Sequence, residues 1–478
     1  MWRNYLTVGL RALAKNRTYA FINLFGLAIG LAACLLILLY VQYERSYDKW
    51  LPDGTRTYQF QVYYKSKTTG DAFDNQGAPY VTKAALLKDF PQIESATYFG
   101  GPPLTLLKDG EARQVDEGRL VDSTFLDTIA LPMAQGDHKA LARPGTVVLS
   151  EDEANKIFGT KSVVGRTLTL LTSGKKADYR ITGVFKDLPK NSHMDLRMLA
   201  RVDFPSMFPE DNGYLTSWGW TSGWVYVKLR PGTDVNALNA QMDAWKKRNI
   251  PDETFNGQKN NAGDERTFKL VAAPEVHLGH ATGSAMTAGN DVQTITTFAV
   301  IAVLILAMAC INFTNLATAR ASQRAREVAL RKVLGATRGQ LMTQFIGESV
   351  LLATIAMLLA LAVVEIALPW FSNFLEADLE LHYFGQGGLI LPMIGLVLLV
   401  GAAGGLYPAF YLSRFQPARV LKANKSAADT EGSGRLRSAL VVIQFAVSIG
   451  LIICTAVVYS QNVYARSLDP GYKRAGLV

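Results

Sequence analysis

The sequence is poor in cysteine and lacks the short motifs of the common catalytic folds. Its 478 residues include three cysteines, and each of them falls inside a long apolar run, so the intervening polar part of the chain has no disulfide to stabilise it. The motifs G-x-x-x-x-G-K-[ST], G-x-S-x-G and H-E-x-x-H do not occur. Their absence argues against a phosphate-binding loop, a nucleophile elbow and a zinc-protease helix. We expect this chain to have no catalytic residue, no cofactor and no metal of its own.

A metal-ligand pattern is present in one weak form, the H-x-x-H pair of His277 and His280. Leu278 and Gly279 separate the two imidazoles, and no cysteine or carboxylate cluster lies nearby in the sequence. Zinc sites normally combine three or four ligands. The pattern therefore favours a surface loop over a metal site.

Charge is missing from several long apolar runs. The first, 20–43, would reach about 36 Å as a helix, which is longer than the roughly 30 Å core of a bilayer. It is too long for a signal peptide, and no A-x-A cleavage site follows, so it is expected to remain as an anchor. Four further runs have the same character, one of them with Glu365 inside it: 292–317, 349–375, 388–412 and 439–461. Five membrane-spanning helices are expected.

Lysine and arginine are distributed asymmetrically around these runs. The segments 1–19, 318–342 and 413–438 are rich in Lys and Arg, whereas the loop 376–388 has acids and neither Lys nor Arg. By the positive-inside rule the three basic segments are cytoplasmic, beginning with an amphipathic N-terminal segment. Residues 44–291 are then extracytoplasmic. This distribution explains the net charge of +9 without a nucleic-acid partner, for which no motif is present.

Residues 44–291 combine strand and helix patterns without a regular period, which predicts an α+β domain in two lobes. Local signals place several elements. Asp109-Gly110 predicts a hairpin turn, and Ser150 predicts a helix N-cap with Glu153 at the capping-box position and a stop at Gly159. The remaining predicted elements are strands at 57–64, 178–185 and 224–232, a helix that Pro79 opens, and an amphipathic helix at 234–248.

Four polar side chains lie within the predicted spans or at their ends. Asn312 and Asn315 are expected to hydrogen-bond between helices, at about 0.6–2 kcal/mol each. Glu348 lies near the cytoplasmic end of its span and is expected to snorkel. For Glu365, a place near the outer interface and a functional partner are equally consistent with the sequence.

The first and fifth apolar runs resemble each other at an offset of 420 residues. The match includes Arg17 with Arg437 and Gly30 with Gly450, and "RSYD" at 45–48 meets "RSLD" at 466–469. The chain therefore starts a second copy of itself. Residues 462–478 are expected to begin a second outer domain that is truncated.

Several motifs resemble the FtsX-like, MacB-type permeases of ABC transporters. The most specific is E-x-A-L-R-K-x-L-G-A within "REVALRKVLGATRGQL" at 326–341, supported by "RALAKNRTYAFINLFGLAIG", "VVLSEDEANKIFG", "GLYPAFYLSRFQPARVLK" and "LVVIQFAVSIGLI". The resemblance implies an α-helical protein of the bacterial inner membrane. It implies an α+β MacB-like periplasmic core domain inserted between the first two transmembrane helices, and an FtsX-like permease domain at 292–412.

The same resemblance implies a role for the basic helix within 318–342. In such permeases this segment docks on a separate cytoplasmic ATPase, which binds the ATP. Arg324, Glu327, Val328, Arg331 and Lys332 are the candidate coupling residues, with Glu327 placed to pair with Arg331 at i+4. Ala325, Val328, Ala329 and Val333 form the apolar face of the wheel. From the residues alone, a helix lying on anionic lipid is the alternative.

The function implied is that of a membrane subunit that couples ATP hydrolysis in its partner to motion of the outer domain, for export or signalling. A periplasmic or outer-membrane partner is expected, as is a homodimer or a two-half pseudodimer. The alternative is an ATPase-independent, membrane-anchored sensor or binding protein.

Overall fold

The computed structural model describes residues 17–67, 69–208, 213–255, 258–321, 325–385, 388–413 and 431–468. The chain divides into two compact units. One comprises Met1–Val41 and Thr296–Val478, and the other comprises Gln42–Ile295. Much of the N-terminal segment 1–19, the linker 413–438 and the segment 462–478 lies outside the described residues.

Five helices of the described chain are long and apolar enough to cross a membrane, as the sequence predicts. They are α1 (Arg17–Glu44), α9 (Val292–Ala321), α11 (Arg338–Leu375), α12 (Ile390–Ser413) and α13 (Glu431–Ser467). A shorter helix, α10 (Ala325–Val333), lies between α9 and α11. At about 1.5 Å per residue, the 38 residues of α11 exceed the thickness of a bilayer core. Its first turns therefore extend beyond the membrane-spanning part of the helix, into the basic segment 318–342.

Small residues allow the apolar helices to approach closely. The backbone of Gly30 in α1 faces Ala309 in α9, and a Cβ at Gly30 would lie 2.5 Å from the Ala309 Cβ. Gly405 in α12 meets Ser349 in α11 in the same way. Membrane helices gain little from the hydrophobic effect among themselves, so close packing at small residues contributes much of their association.

The unit Gln42–Ile295 is built on one sheet. Its strands are β1 (Thr57–Lys65), β2 (Ala72–Asn75), β3 (Ile93–Gly100), β4 (Leu104–Lys108), β5 (Glu111–Val115), β6 (Gly118–Val121), β7 (Met133–Gln135), β8 (Thr146–Ser150), β9 (Thr167–Thr172), β10 (Lys175–Phe185), β11 (Met198–Arg201), β12 (Gly223–Leu229) and β15 (Arg266–Ala272). A separate hairpin pairs β13 (Asp252–Phe255) with β14 (Gln258–Asn261).

The main sheet has 13 strands in the order β15-β1-β12-β3-β6-β11-β8-β10-β9-β4-β5, with β2 beside β1 and β7 beside β10. A single hydrogen-bonded sheet runs through the unit, and in its middle β3 and β6 pair at two positions, Phe99 with Val121 and Gly100 with Leu120. The division into two lobes stays a prediction. Neighbouring residues of one strand point to opposite faces. Tyr98 accordingly belongs to one buried apolar cluster and Phe99 to the other, so the sheet is covered on both sides.

Short helices accompany the sheet: α2 (Val81–Asp89), α3 (Phe125–Thr128), α4 (Glu151–Phe158), α5 (Phe204–Met207), α6 (Val235–Asn239), α7 (Met242–Asn249) and α8 (Ala273–Val276). The prediction of one amphipathic helix at 234–248 is wrong. The chain forms α6 and α7 instead, and α7 buries Met242 and Trp245. Starting a new helix lets Trp245 pack against Phe60 and Phe268.

The local turn and capping signals are confirmed. Asp109 and Gly110 both have positive φ, 53° and 86°, as a two-residue type I′ hairpin turn requires. The Ser150 hydroxyl accepts a hydrogen bond from the backbone N–H of Glu153 at 3.2 Å. Gly159 ends the helix in the left-handed region, with φ 69°. These elements follow from short-range chemistry, so the sequence alone predicts them.

Candidate functional site

The basic segment after α9 forms a rigid helical corner, which we call the α10–α11 corner (325–348). Gly335 adopts φ +94° and allows the chain to turn after α10. The N–H of Ala336 donates to the Arg331 carbonyl at 3.0 Å, and that of Gly335 donates to Lys332 at 3.1 Å. This pair of bonds is the Schellman pattern of a helix C-terminus. The helix α10 therefore ends with a hydrogen-bonded cap at Gly335.

The second arm of the corner begins with a complete capping box. The Thr337 hydroxyl accepts from the N–H of Gln340 at 3.3 Å, and the Gln340 side chain accepts from the N–H of Thr337 at 3.0 Å. Both bonds satisfy donors that a helix start otherwise leaves unpaired. The turn between α10 and α11 is therefore fixed on both sides by hydrogen bonds.

A relay of polar side chains joins the two arms. Arg331 lies 2.8 Å from Glu327, which is the predicted i+4 pair, and it also donates to the Gln344 side chain at 2.5 Å. Gln344 in turn donates to Glu348 at 2.9 Å. Glu348 thus accepts a hydrogen bond from its own helix at the foot of α11, where the sequence predicts snorkelling.

The apolar side chains of α10 divide between two directions. Val328 is 1% exposed and packs in a cluster with Leu341, Phe345 and Ala409. The opposite side of the helix leaves Leu330, Val333 and Leu334 58%, 64% and 79% exposed. Val333, which the wheel places on the apolar face with Val328, is therefore exposed, whereas Val328 is covered within its own chain.

The charged candidates have different surroundings. Lys332 is half-buried, and burial lowers the pKa of its ammonium group, with a further lowering from Arg338. Arg324 lies outside the described residues. The corner therefore offers an exposed apolar patch of Leu330, Val333 and Leu334 beside the Glu327–Arg331 pair.

The polar side chains of the predicted spans each have different surroundings. Asn312 packs beside Gly26 of α1, where an added Cβ would lie 3.3 Å from its amide nitrogen. Asn315 buries its side-chain oxygen without a hydrogen-bond partner among the described residues. Glu365 is exposed and accepts a 2.5 Å hydrogen bond from the Tyr383 hydroxyl, in the loop after α11. That bond raises the pKa of Tyr383.

A buried cluster that the sequence does not reveal lies where the chain enters and leaves the outer domain. Its two carboxyl–imidazole pairs are Glu44 with His277, at 2.8 Å, and Asp48 with His193, at 2.7 Å. All four side chains are nearly inaccessible. The expectation that His277 lies in a surface loop is therefore wrong. Since Glu44 and His277 are 233 positions apart, no local pattern could have paired them.

Among the described residues, no group of three or more His, Cys, Asp and Glu side chains is arranged to hold a metal ion. In the junction cluster each imidazole meets a single carboxylate, and the ring of His277 stacks on Tyr47 with centroids 3.3 Å apart. Burial raises the pKa of Tyr47, and the neighbouring Tyr43 and Glu44 raise it further. The cluster is an arrangement of hydrogen bonds and stacking.

Two family models match this chain. One, described as the MacB-like periplasmic core domain, covers residues 20–245, and the other, described as the FtsX-like permease C-terminal, covers residues 299–417. The α10–α11 corner lies within the second match. The two matches coincide with α1 plus most of the outer domain, and with α9 to α12.

Curated relatives point the same way. The chain is 24% identical to "Uncharacterized ABC transporter permease YknZ" of Bacillus subtilis, over 63% of this chain and 68% of that protein. It is 22% identical to "Macrolide export ATP-binding/permease protein MacB 1/2" of Paracoccus denitrificans, over 87% of this chain and 58% of that protein. A MacB of Bdellovibrio bacteriovorus matches over 38% of its length. The chain thus spans about half the length of these MacB proteins.

Two solved structures are similar to just under half of this chain. A domain of a putative permease protein from Porphyromonas gingivalis is 25% identical, with a TM-score of 0.37, and the match covers 46% of this chain and 91% of that one. The periplasmic region of MacB from Actinobacillus actinomycetemcomitans is 15% identical, with a TM-score of 0.30, over 47% and 91%.

Proposed function

Because the chain belongs to the FtsX/MacB-type family of ABC transporter permeases, we propose that it couples ATP hydrolysis by a separate cytoplasmic ATPase to motion of its outer domain. It is a multi-pass protein of the inner membrane and the permease subunit of an ABC system. In this proposal the partner binds the ATP, which agrees with a sequence that has no G-x-x-x-x-G-K-[ST] motif.

The observation that carries the proposal is the exposed apolar patch on the α10–α11 corner. Leu330, Val333 and Leu334 lie within a basic segment that positive-inside topology assigns to the cytoplasm. Apolar anchors surrounded by charge are typical of protein interfaces. Val328 has a different role in this proposal, since it is buried within its own chain. It holds α10 against α11 and so fixes the direction in which the patch points.

The corner is suited to pass on force because its parts are joined to each other. The Glu327–Arg331–Gln344–Glu348 relay and the Val328 cluster bind α10 to α11, so a push on α10 moves the start of α11. We propose that this motion drives export of a substrate already outside the inner membrane, or signals across it. The working unit is then a homodimer or a two-half pseudodimer, with a periplasmic or outer-membrane partner.

The test compares two equally exposed leucines. Leu334, on the patch, and Leu391, at the start of α12, are both 79% exposed. The full chain is co-expressed with its ABC ATPase and reconstituted, and ATPase stimulation is measured. Leu334→Ser should lower stimulation at least tenfold, since truncation of an interface anchor costs about 2 kcal/mol or more. Leu391→Ser should leave stimulation unchanged at equal membrane content.

Other outcomes would point elsewhere. If Leu334→Ser is silent, and Arg331→Gln and Lys332→Gln lower ATPase stimulation to the same graded extent, the corner is an anchor on anionic lipid. If no ABC ATPase is stimulated by the unmodified chain, the sensor alternative is favoured.

A further inference from the structure

The outer domain holds its incoming segment (42–48) and its outgoing segment (277–295) together through one carboxylate. Oε2 of Glu44 lies 2.8 Å from Nε2 of His277 and accepts a 3.0 Å hydrogen bond from the side-chain amide of Asn290. The backbone N–H of Asn290 also donates to the His277 carbonyl, at 2.8 Å. Tyr47 stacks on the His277 ring, 6° from parallel. Two segments that are distant in sequence are therefore joined by side-chain, backbone and ring contacts.

Burial makes this junction resistant to opening. Glu44 is 6% and His277 is 4% exposed, so separating them would leave a charged or polar group in a place that water scarcely reaches. Hydrogen bonds also demand specific distances and angles. An apolar contact can slide to a neighbouring position and still be apolar, but these hydrogen bonds would lose their partners if the two segments shifted.

A second pair connects the incoming segment to the sheet. Asp48, which has φ 57°, accepts hydrogen bonds from the Ser192 hydroxyl at 3.2 Å and from the backbone N–H of His193 at 3.1 Å. Its other oxygen lies 2.7 Å from Nδ1 of His193. Nε2 of His193 lies 2.5 Å from the Tyr226 hydroxyl on β12. The turn that follows α1 is thus held by the loop between β10 and β11.

The polar chain then returns to the outgoing segment. Gln59 on β1 donates to the Tyr226 hydroxyl at 2.7 Å and to the side chain of Gln76 at 3.3 Å. Gln76 donates to the carbonyl of Ala281 at 2.8 Å. Tyr226, Gln59 and Gln76 are all buried. The contacts therefore form a closed ring from the incoming segment through the sheet to the outgoing segment.

We propose that Glu44, His277 and Asn290 form a clamp that stays closed throughout the ATPase cycle. The incoming and outgoing segments then move as one piece, and Asp48 passes their displacement to the sheet through His193. Glu44, His277 and Asn290 act by holding the two segments in position while motion is transmitted to the outer domain. This inference rests on the proposed function and adds the part of the outer domain that receives the motion.

Reversible cross-linking tests the clamp in the full chain, reconstituted with its ATPase. Cys34, Cys310 and Cys454 are replaced by alanine, Glu44 and Asn290 by cysteine, and a short bis-methanethiosulfonate reagent joins the new pair. The unlinked double variant should lose at least fivefold in ATPase stimulation. Linking should restore stimulation to within twofold of the cysteine-free chain, and reduction should abolish it again. If the double variant lost activity because the whole protein was destabilised, linking would not restore stimulation and reduction would not abolish it again.

The matched control is a second pair in the same domain. Lys67 and Asp264 form an exposed ion pair at 3.3 Å, and Lys67→Cys with Asp264→Cys should leave stimulation unchanged whether linked or not. If the Glu44–Asn290 link lowers stimulation below that of the unlinked chain, the clamp must open during the cycle and the inference is overturned. Full activity of the unlinked variant overturns it as well.

A measurement without the ATPase separates the two proposals. Hydrogen exchange of the full chain in lipid nanodiscs should be at least tenfold faster at the Asn290 amide in Glu44→Ala, with no change at 146–150 in β8. Unchanged exchange at Asn290 refutes the clamp even if coupling is real. Faster exchange in a chain that stimulates no ATPase refutes the proposed function and leaves a clamp that has only a structural role.

Discussion

Asp53 lies 2.6 Å from the ammonium group of Lys228, so that a turn before β1 is joined to the neighbouring strand β12. Arg56 binds the other carboxylate oxygen at 3.0 Å. The hydrogen bond from Lys228 makes the largest contribution to lowering the pKa of Asp53, and the hydrogen bond from Arg56 lowers it further. A carboxyl group whose pKa is lower in the folded state stabilises the fold above its unfolded pKa. That contribution is lost as the pH falls through the folded value.

We expect Asp53→Asn to lower the free energy of unfolding of residues 44–291 by about 1 kcal/mol at pH 7, the upper range for a partly exposed ion pair. The difference from the unmodified domain should shrink as the pH falls below about 4, where the unfolded carboxyl group becomes protonated. Urea titrations at several pH values measure it. In a cycle with Lys228→Met the two effects should be non-additive, and additivity would contradict the pairing.

Residues 44–291 expressed alone should form a folded, soluble domain. The unit has apolar clusters on both faces of its sheet and contains no cysteine, and its described residues hold no metal-ligand cluster. Circular dichroism and the thermal midpoint should not change on adding a chelator or a reductant. Loss of structure with the chelator would show that a metal is required.

Gly405→Leu should destabilise the membrane helices, whereas Gly395→Leu on the same helix should not. A Cβ at Gly405 would lie 2.8 Å from the Ser349 hydroxyl, but one at Gly395 meets nothing within 4 Å. Overpacking typically costs about 1–3 kcal/mol. Thermal unfolding of the full chain in detergent compares the two variants, and equal midpoints would mean that the contact between α11 and α12 is not tight.

Cysteines placed at Gln340 and at Glu380 should react with a membrane-impermeant maleimide from opposite sides of the membrane. Gln340 lies in the basic segment, and Glu380 lies in the loop that has acids and no Lys or Arg, so positive-inside topology puts them on different sides. Background labelling is removed by replacing the three natural cysteines. Labelling of both positions from one side would contradict the assigned orientation.

Local chemistry made much of the architecture predictable from the sequence. A run of uncharged residues long enough to span a bilayer predicts α1 without any tertiary information, because lipid requires the backbone to satisfy its own hydrogen bonds. The hairpin at Asp109-Gly110 and the helix that Ser150 caps depend on neighbours within a few residues. The i+4 pair of Glu327 and Arg331 belongs to the same class, and so does the end of α10 at Gly335.

Contacts between distant residues were decided by the tertiary structure. Nothing near His277 in the sequence identifies Glu44 as its partner, and nothing near Val328 shows that α11 covers it while leaving Val333 exposed. The sequence by itself determined which segments are long and apolar enough to cross a membrane, together with the turns and helix ends that depend on near neighbours. Packing across the sheet and between helices determined which polar groups are buried together, since burial depends on every segment that covers a residue and not on its neighbours in the chain.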